Sequence, residues 1–258
     1  MLCYTLYLHC LTIMKLISII IPYYNNIKFI EQTIDSILNQ TYQNFEIIII
    51  YDDENQDDLK VIKQLTRNQN QIKLIINKKK IGAGLSRNVG ILNAKGDYIA
   101  FIDSDDYWDS DKLRVQLNFM LSKNIDFTHT SYQIVDETGK IKGCRKAKDF
   151  FHLKELLKSC DIGLSTVIIK KSLLTTNRFP NLKTKEDFVL WLILLKQGNR
   201  IYSIAKNLTY WRKTKNSLSS NIYQKIIDGY SVYKDYMKMS IFKSILYLVF
   251  LSINSFRK

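Results

Sequence analysis

Proline and glycine are scarce. Two Pro and nine Gly in 258 residues leave little room for long flexible linkers. An apolar share of 46% with 12% aromatics excludes a disordered chain and supplies a substantial core. The length fits one large domain, or one domain with an appendage. Cysteine is sparse as well. Cys3, Cys10, Cys144 and Cys160 form no Cys-x-x-Cys pair and no cluster with the three histidines, which argues against a zinc site. They read as reduced thiols of a cytosolic protein, and His129 in FTHTSY reads as an ordinary strand residue. Residues 1–13 contain no Lys or Arg and so lack the basic n-region of a signal peptide. Met14-Lys15 before LISIIIPYYNN is the more natural start, and residues 1–13 are expected to be an extension outside the fold.

Acidic residues are the minority charge. Against 38 Lys and Arg stand 24 Asp and Glu, a net charge of +14, which suits a polyanionic partner: nucleic acid, an anionic membrane surface or a phosphorylated substrate. From Leu16 onward, apolar runs alternate with helical patterns. LISIIIP, FEIIIIYDD, IKLIINK and DYIAFID read as strands, the first an Ile-rich run of the kind covered on both faces. FIEQTIDSILNQT, DDLKVIKQLTRN and GAGLSRNVGILNAKG read as helices, the last ending on Gly96 as a C-cap. The alternation predicts an α/β fold with a largely parallel sheet. In the second half, IDFTHTSYQIVD, STVIIKKSLL and IYSIAKNLTYWR are strand-like, FFHLKELLKS is helical, and KEDFVLWLILLKQGN is a strong amphipathic helix with Gly198 just past its end.

Ligands of such sheets sit beyond the carboxyl ends of the strands. Strand two ends in Asp52-Asp53 and strand four in Asp103-Ser104-Asp105-Asp106, so both acidic clusters are expected on one rim. Two like charges about 4 Å apart repel by roughly 4 kcal/mol at an effective dielectric near 20. A divalent cation removes that repulsion. Mg2+ and Mn2+ prefer oxygen ligands and take one or two carboxylates plus substrate phosphates. The site is no EF-hand, because Tyr107-Trp108 follow where a glycine is required. The alternative is that Asp109 or Ser110 caps the helix DKLRVQLNFML and the other acids are solvated.

Taken together, SIIIPYYNN, EIIIIYDD, IGAGLSRNVGILNAKGDYIAFIDSDDYW and KEDFVLWL, in this order and at these separations, resemble the inverting family 2 glycosyltransferases of GT-A fold. The resemblance covers residues 15 to 220, and its most specific stretch runs from Arg87 to Trp108. It implies a Rossmann-like, mainly parallel or mixed sheet flanked by helices over residues 14–220; the residues of 221–258 themselves read as a basic amphipathic helical tail. It further implies a nucleotide-diphosphate sugar as donor, UDP in the first instance, and Mn2+ or Mg2+ as cofactor. Under it, Asp52 or Asp53 contacts the base or ribose, and Pro22 and Tyr24 line the nucleotide pocket. Arg87 approaches the base or diphosphate, Asp103 holds the ribose side and joins the metal site, and Asp105 binds the metal. Asp187 in KEDFVLW matches the catalytic base, with Glu186 as the fallback.

A positioned carboxylate suits inversion, since the acceptor hydroxyl loses its proton as it attacks. Residues alone also allow a structural role for Asp187: Thr184 as N-cap with Asp187 three residues on is close to a capping box. The basic loop YWRKTKNSLSS, with Arg212, Lys213 and Lys215, reads as solvated on its own. The resemblance makes it a segment that closes over the diphosphate and helps hold a phosphorylated lipid acceptor. Two departures stand out. Strand two ends Asp52-Asp53-Glu54-Asn55 where the family usually has Asp-Asp-Gly-Ser, which weakens the case for uridine, and the family's proline after the metal motif is absent around Asp109-Ser110.

The tail from residue 222 is rich in Tyr and Lys and ends in IFKSILYLVFLSINSFRK. Its apolar core of about a dozen residues is short of the ~20 that span a bilayer. It suits either a membrane interface or a helix docked on the domain. The sequence therefore predicts a metal-dependent transferase adding a sugar to a glycan or lipid-linked acceptor in surface polysaccharide biosynthesis, of the capsule or lipopolysaccharide kind. Its place is the cytoplasm, peripheral on the inner face of the cytoplasmic membrane. A nucleotidyltransferase of similar fold is the second reading, against which PYYNNIKF lacks the glycine-rich triphosphate loop. A non-catalytic nucleic-acid-binding protein is the third, against which the acidic rim would repel phosphate; nucleic acid is not expected as a partner.

Overall fold

The computed structural model describes residues 14–214 and 222–256. The expected extension at 1–13 and most of the basic loop after Thr214 lie outside them. In chain order the elements are β1 (Ile17–Tyr23), α1 (Ile27–Leu38), β2 (Phe45–Tyr51), α2 (Gln56–Thr66), β3 (Ile72–Ile76), α3 (Ala83–Asn93), β4 (Tyr98–Phe101) and β5 (Tyr107–Trp108). There follow α4 (Lys112–Lys123), β6 (Phe127–Val135), β7 (Ile141–Arg145), β8 (Ile168–Lys170), α5 (Glu186–Lys196), β9 (Tyr202–Arg212), α6 (Ile222–Ser231) and α7 (Ile241–Phe256).

One sheet organises the whole chain, in the order β3-β2-β1-β4-β8-β6-β9-β5, with β7 paired to β6. β3, β2, β1 and β4 run parallel, whereas β8 is antiparallel to both β4 and β6. β9 runs parallel to β6 and takes β5 along its far edge in antiparallel register. The Ile-rich strands are buried because the sheet carries a hydrophobic layer on each face. One is built from Ile19, Ile21, Ile47 and Ile49 with Ile30 and Ile34 of α1, the other from Ile20, Ile48 and Ile50 with α5. Fully burying one such side chain contributes about 1.5–3 kcal/mol.

Several expectations are corrected in the second half. α5 is not amphipathic. Phe188 to Leu192, Leu194 and Leu195 are all buried, because the sheet covers one side and later segments cover the others. Trp191 packs edge-on against Phe127 of β6, and Phe188 against Tyr233 beyond α6. FFHLKELLKS yields only one helical turn, Leu153–Leu156, closed by a capping box between His152 and Glu155. STVIIKKSLL contributes just three strand residues, flanked by 3-10 turns at Leu164–Thr166 and Lys171–Leu174. Gly96 is not a helix cap either. α3 ends at Asn93 with Ala94 as C-cap, and Gly96 is needed where its backbone passes β1. A Cβ there would lie 2.7 Å from the Leu16 carbonyl and the Ser18 amide.

The C-terminal helices pack on the domain by one face only. Val232 and Tyr233 are buried, and the Tyr233 hydroxyl donates to the Leu157 carbonyl at 2.7 Å. Asp228 of α6 accepts from the Thr184 amide and hydroxyl at 2.9 and 2.8 Å. The opposite face leaves Ile222, Tyr223, Ile226, Ile227, Ile241, Phe242, Ile245, Leu246, Val249 and Ile253 exposed. No described helix is long and apolar enough to cross a membrane.

Candidate active site

A cavity of about 710 Å³ opens beyond the carboxyl ends of β1 and β4. β1 delivers Pro22 and Tyr24 to it, α3 Arg87, the loop after β4 Asp103 and Asp105, and the start of α5 Lys185, Glu186 and Asp187. The parallel register explains the meeting. Ile20 of β1 lies opposite Phe101, the last residue of β4, so the end of β1 runs on beside the acidic loop that follows β4.

The acidic loop is split by its own hydrogen bonds. Asp103 accepts the Asp106 amide at 3.1 Å through its carbonyl, and Thr33 of α1 donates to the Asp106 carbonyl at 2.7 Å. That turn sends the Asp106 side chain inward, where it accepts from Ser165 Oγ at 2.5 Å and the Arg212 amide at 2.8 Å. Asp103 and Asp105 are left on the cavity wall. Asp103 accepts from Arg87 Nη2 at 2.6 Å. Asp105 has no ion pair and no side-chain donor from another described residue. Burial first, and the neighbouring Asp103 second, push its carboxyl up to about 7. Asp106 rises well above the carboxylate range for the same kind of reason, burial ahead of repulsion from Asp105 and Asp103.

Two carboxylates side by side on an open wall are hard oxygen donors, which fit Mg2+ or Mn2+ and suit neither zinc nor copper. Three-residue clusters of metal-ligating side chains are absent among the described residues. Asp103 and Asp105 are the residues that would hold such an ion.

Arg87 is a buried fork. Besides Asp103 it donates through Nη1 to Glu186 at 2.7 Å, and both carboxylates hold its guanidinium firmly charged against burial. It ties α3, the acidic loop and the first turn of α5 into one unit. Removing one partner of a buried pair costs about 3–5 kcal/mol, because the other charge is stranded.

The first turn of α5 is not closed by the expected cap. The N-cap is Lys185, in the left-handed region at φ 68°, with no side-chain cap bond. Thr184 turns away to Asp228, so the capping box expected from TKED does not form. Asp187 accepts the following Phe188 amide at 2.7 Å, a bond that favours its ionised form. Burial outweighs that bond. With repulsion from Glu186 added, the carboxyl rises to about 6, close to what a base working near neutrality needs.

The other sequence candidates divide between the cavity wall and the layer behind it. Tyr24 lines the cavity with Lys80 Nζ 3.5 Å over its ring. Asp52 does not line it. Buried, Asp52 accepts from Asn77 at 2.8 Å and from the Ile81 and Gly82 amides at 2.9 and 2.7 Å, which fixes the loop into α3. Asp53 accepts the Asn25 amide at 2.7 Å and so joins the ends of β1 and β2. Arg212 also lies behind the wall. Its Nε donates to the Asp105 carbonyl at 2.8 Å and its Nη2 to Gln32 at 2.6 Å, with Phe29 stacked on the guanidinium at 4.4 Å. Missing from the sequence reading are Lys183, Lys225 and Trp211 on the cavity wall. They come from three separate segments, and no spacing announces them.

Comparison with known proteins agrees with this architecture. Residues 18–173 match the model of glycosyl transferase family 2. An uncharacterized glycosyltransferase of Haemophilus influenzae is 36% identical over 248 residues, covering 95% of this chain and 98% of its own. The UDP-Glc:alpha-D-GlcNAc-diphosphoundecaprenol beta-1,3-glucosyltransferase WfgD of Escherichia coli is 36% identical over 224 residues, 86% of this chain and 87% of its own. Among solved structures, S. aureus TarS 1-349 in complex with UDP-GlcNAc superposes with a TM-score of 0.69 at 22% identity, covering 90% of this chain and 70% of that one. That likeness shows the GT-A fold. With the family model spanning more than half its length and the Haemophilus relative spanning nearly all of it, this chain belongs to glycosyl transferase family 2.

Proposed function

We propose that the protein transfers a sugar, with inversion, from a UDP-sugar to a hydroxyl of a lipid-linked glycan during assembly of a surface polysaccharide. The observation that carries this is the pairing of Asp103 and Asp105 with Asp187 on one cavity, the last with its carboxyl raised to about 6. Asp187 takes the acceptor proton as the acceptor oxygen attacks the anomeric carbon. The bond from that carbon to the diphosphate breaks, and its electron pair leaves on the diphosphate. A divalent ion held by Asp103 and Asp105 would neutralise charge growing on the leaving group. Arg87 and Glu186 position the base relative to the acidic loop rather than touching substrate. Pro22 and Tyr24, on the cavity wall, would meet the nucleotide, while Asp53 braces the ends of β1 and β2 and Asp52 shapes the loop into α3. The E. coli relative, whose name gives a UDP-glucose donor and a diphosphoundecaprenol-linked acceptor, supports the choice of both substrate classes.

The apolar outer face of α6 and α7 supports a peripheral place on the cytoplasmic membrane. Phe242 is 77% and Tyr223 82% exposed, and Lys238 and Lys243 lie close by to meet anionic lipid. In this reading residues 14–220 carry the chemistry and 221–258 hold it near a lipid-borne acceptor. Calorimetric titration with UDP tests the core claim. Binding is expected with Mn2+, and at least tenfold weaker with excess chelator or in Asp105→Ala, a loss of ~1.4 kcal/mol or more. UDP binding that ignores both changes would overturn the role given to Asp105.

A further inference from the structure

A second cavity, of about 410 Å³, branches from the first and shares Tyr132, Cys160, Lys185 and Trp211 with it. Its wall is strongly cationic. Arg145 and Lys146 come from the end of β7 and the residue after it, Lys148 from the next turn, and Lys185 from the cap of α5. Against these four stands one carboxylate, Asp161, which accepts from Lys148 Nζ at 3.0 Å and from Ser159 Oγ at 2.7 Å. Lys146 and Lys185 form no ion pair among the described residues. The two ends of the cavity differ in character. At the junction with the first cavity stand the aromatic rings of Tyr132 and Trp211, and elsewhere Ile134 and Leu251 of α7 contribute apolar wall. α7 is the helix whose outer face is apolar and exposed.

An excess of positive charge concentrated in a concave site is built for an anion. The nucleotide diphosphate belongs on the other side of the first cavity, beside Asp103 and Asp105, so this site is left for a different anion. We infer that the second cavity is the subsite for the acceptor's own diphosphate, held by Arg145, Lys146, Lys148 and Lys185. The acceptor sugar lies across Trp211 toward Asp187, and its apolar chain leaves past Leu251 along α7. This inference rests on the transferase reading above and deepens it by placing the acceptor. Lys185, which lines both cavities next to Asp187, links recognition of the acceptor anion to the position of the base. An acceptor without the phosphate groups would reach Asp187 but would not be held there.

The test is calorimetric binding of inorganic pyrophosphate in excess chelator, where no metal bridges it to Asp103 and Asp105. Three proteins are compared: the full chain, the Lys146→Gln/Lys148→Gln double variant and Asp105→Asn, each checked for folding by its thermal melt. The expected result is at least tenfold weaker binding in the double variant and undiminished binding in Asp105→Asn. Equal binding by parent and double variant, or binding lost only in Asp105→Asn, would overturn the assignment. So would no binding by the parent. A parallel titration with farnesyl diphosphate separates the sources: tighter binding than pyrophosphate assigns a lipid diphosphate, and equal binding assigns a phosphate of other origin. Failure of the transferase reading looks different, as loss of Mn2+-dependent UDP binding while metal-free pyrophosphate binding persists.

Discussion

Replacing Glu186 by Gln keeps an acceptor for Arg87 Nη1, now at 2.7 Å, and removes one negative charge beside Asp187. Carboxylates on adjacent residues, roughly 6 Å apart at an effective dielectric near 20, repel by about 3 kcal/mol. At 1.36 kcal/mol per pH unit this sets a ceiling of about 2 units. Burial is the larger cause of the rise of Asp187 from 3.8 to about 6, so Glu186 accounts for less than that ceiling. The expected fall is about one unit. A base must be ionised to work, so the parent enzyme loses kcat/KM as the pH drops through about 6. The variant is expected to hold its activity about one unit further into acid, in initial rates of sugar transfer measured from about pH 4.5 to about 8. An acid limb that stays put, or moves upward, would refute both the identity of the base and the account of its pKa.

Asp187→Asn is expected to lower kcat by about 10²–10⁴, the usual worth of a positioned base. The same change should stabilise the fold above pH 6, by at most about 3 kcal/mol, since the native state then no longer carries an ionised carboxylate it disfavours. The gain should shrink as the pH falls from about 6 and vanish below 3.8, where the parent residue is protonated in both states; urea unfolding at two pH values checks it. Arg212→Lys cannot reach Gln32 and the Asp105 carbonyl together, so a loss of about 2–3 kcal/mol in urea unfolding is expected from the broken bonds. Phe242→Glu with Ile245→Glu should weaken co-sedimentation with anionic vesicles at least tenfold, given about 1.5–3 kcal/mol per buried apolar side chain. Unchanged sedimentation would remove the membrane from the account.

The parallel half of the sheet is legible in the sequence because β1, β2 and β4 are buried on both faces, and continuous Ile and Phe runs of strand length suit little else. The mixed half is not. β8 has three residues and β5 two, too few for any period to show, and α5 hides its character because partners from later segments cover its polar-looking side. Of the site, Asp103, Asp105 and Asp187 can be named from their motifs. That Asp106 turns inward depends on Ser165 and the Arg212 amide, which arrive from 59 and 106 residues away. Arg87 is visible as a basic residue, yet nothing local to α3 specifies two carboxylate partners at separations of 16 and 99 residues. Asp52 shows the reverse case: a strand-end acid reads as a ligand from sequence, while three donors of the loop between β3 and α3 claim it.

The Arg87 fork also constrains how the enzyme can be rebuilt. It staples α3 and the acidic loop of the first half to the first turn of α5 in the second, with the guanidinium itself buried. A chimera joining residues up to the acidic loop to the second half of a relative therefore inherits only one prong unless the graft carries its own acid at position 186. A graft that replaces any one of Arg87, Asp103 and Glu186 alone leaves a charge of the fork without its partner.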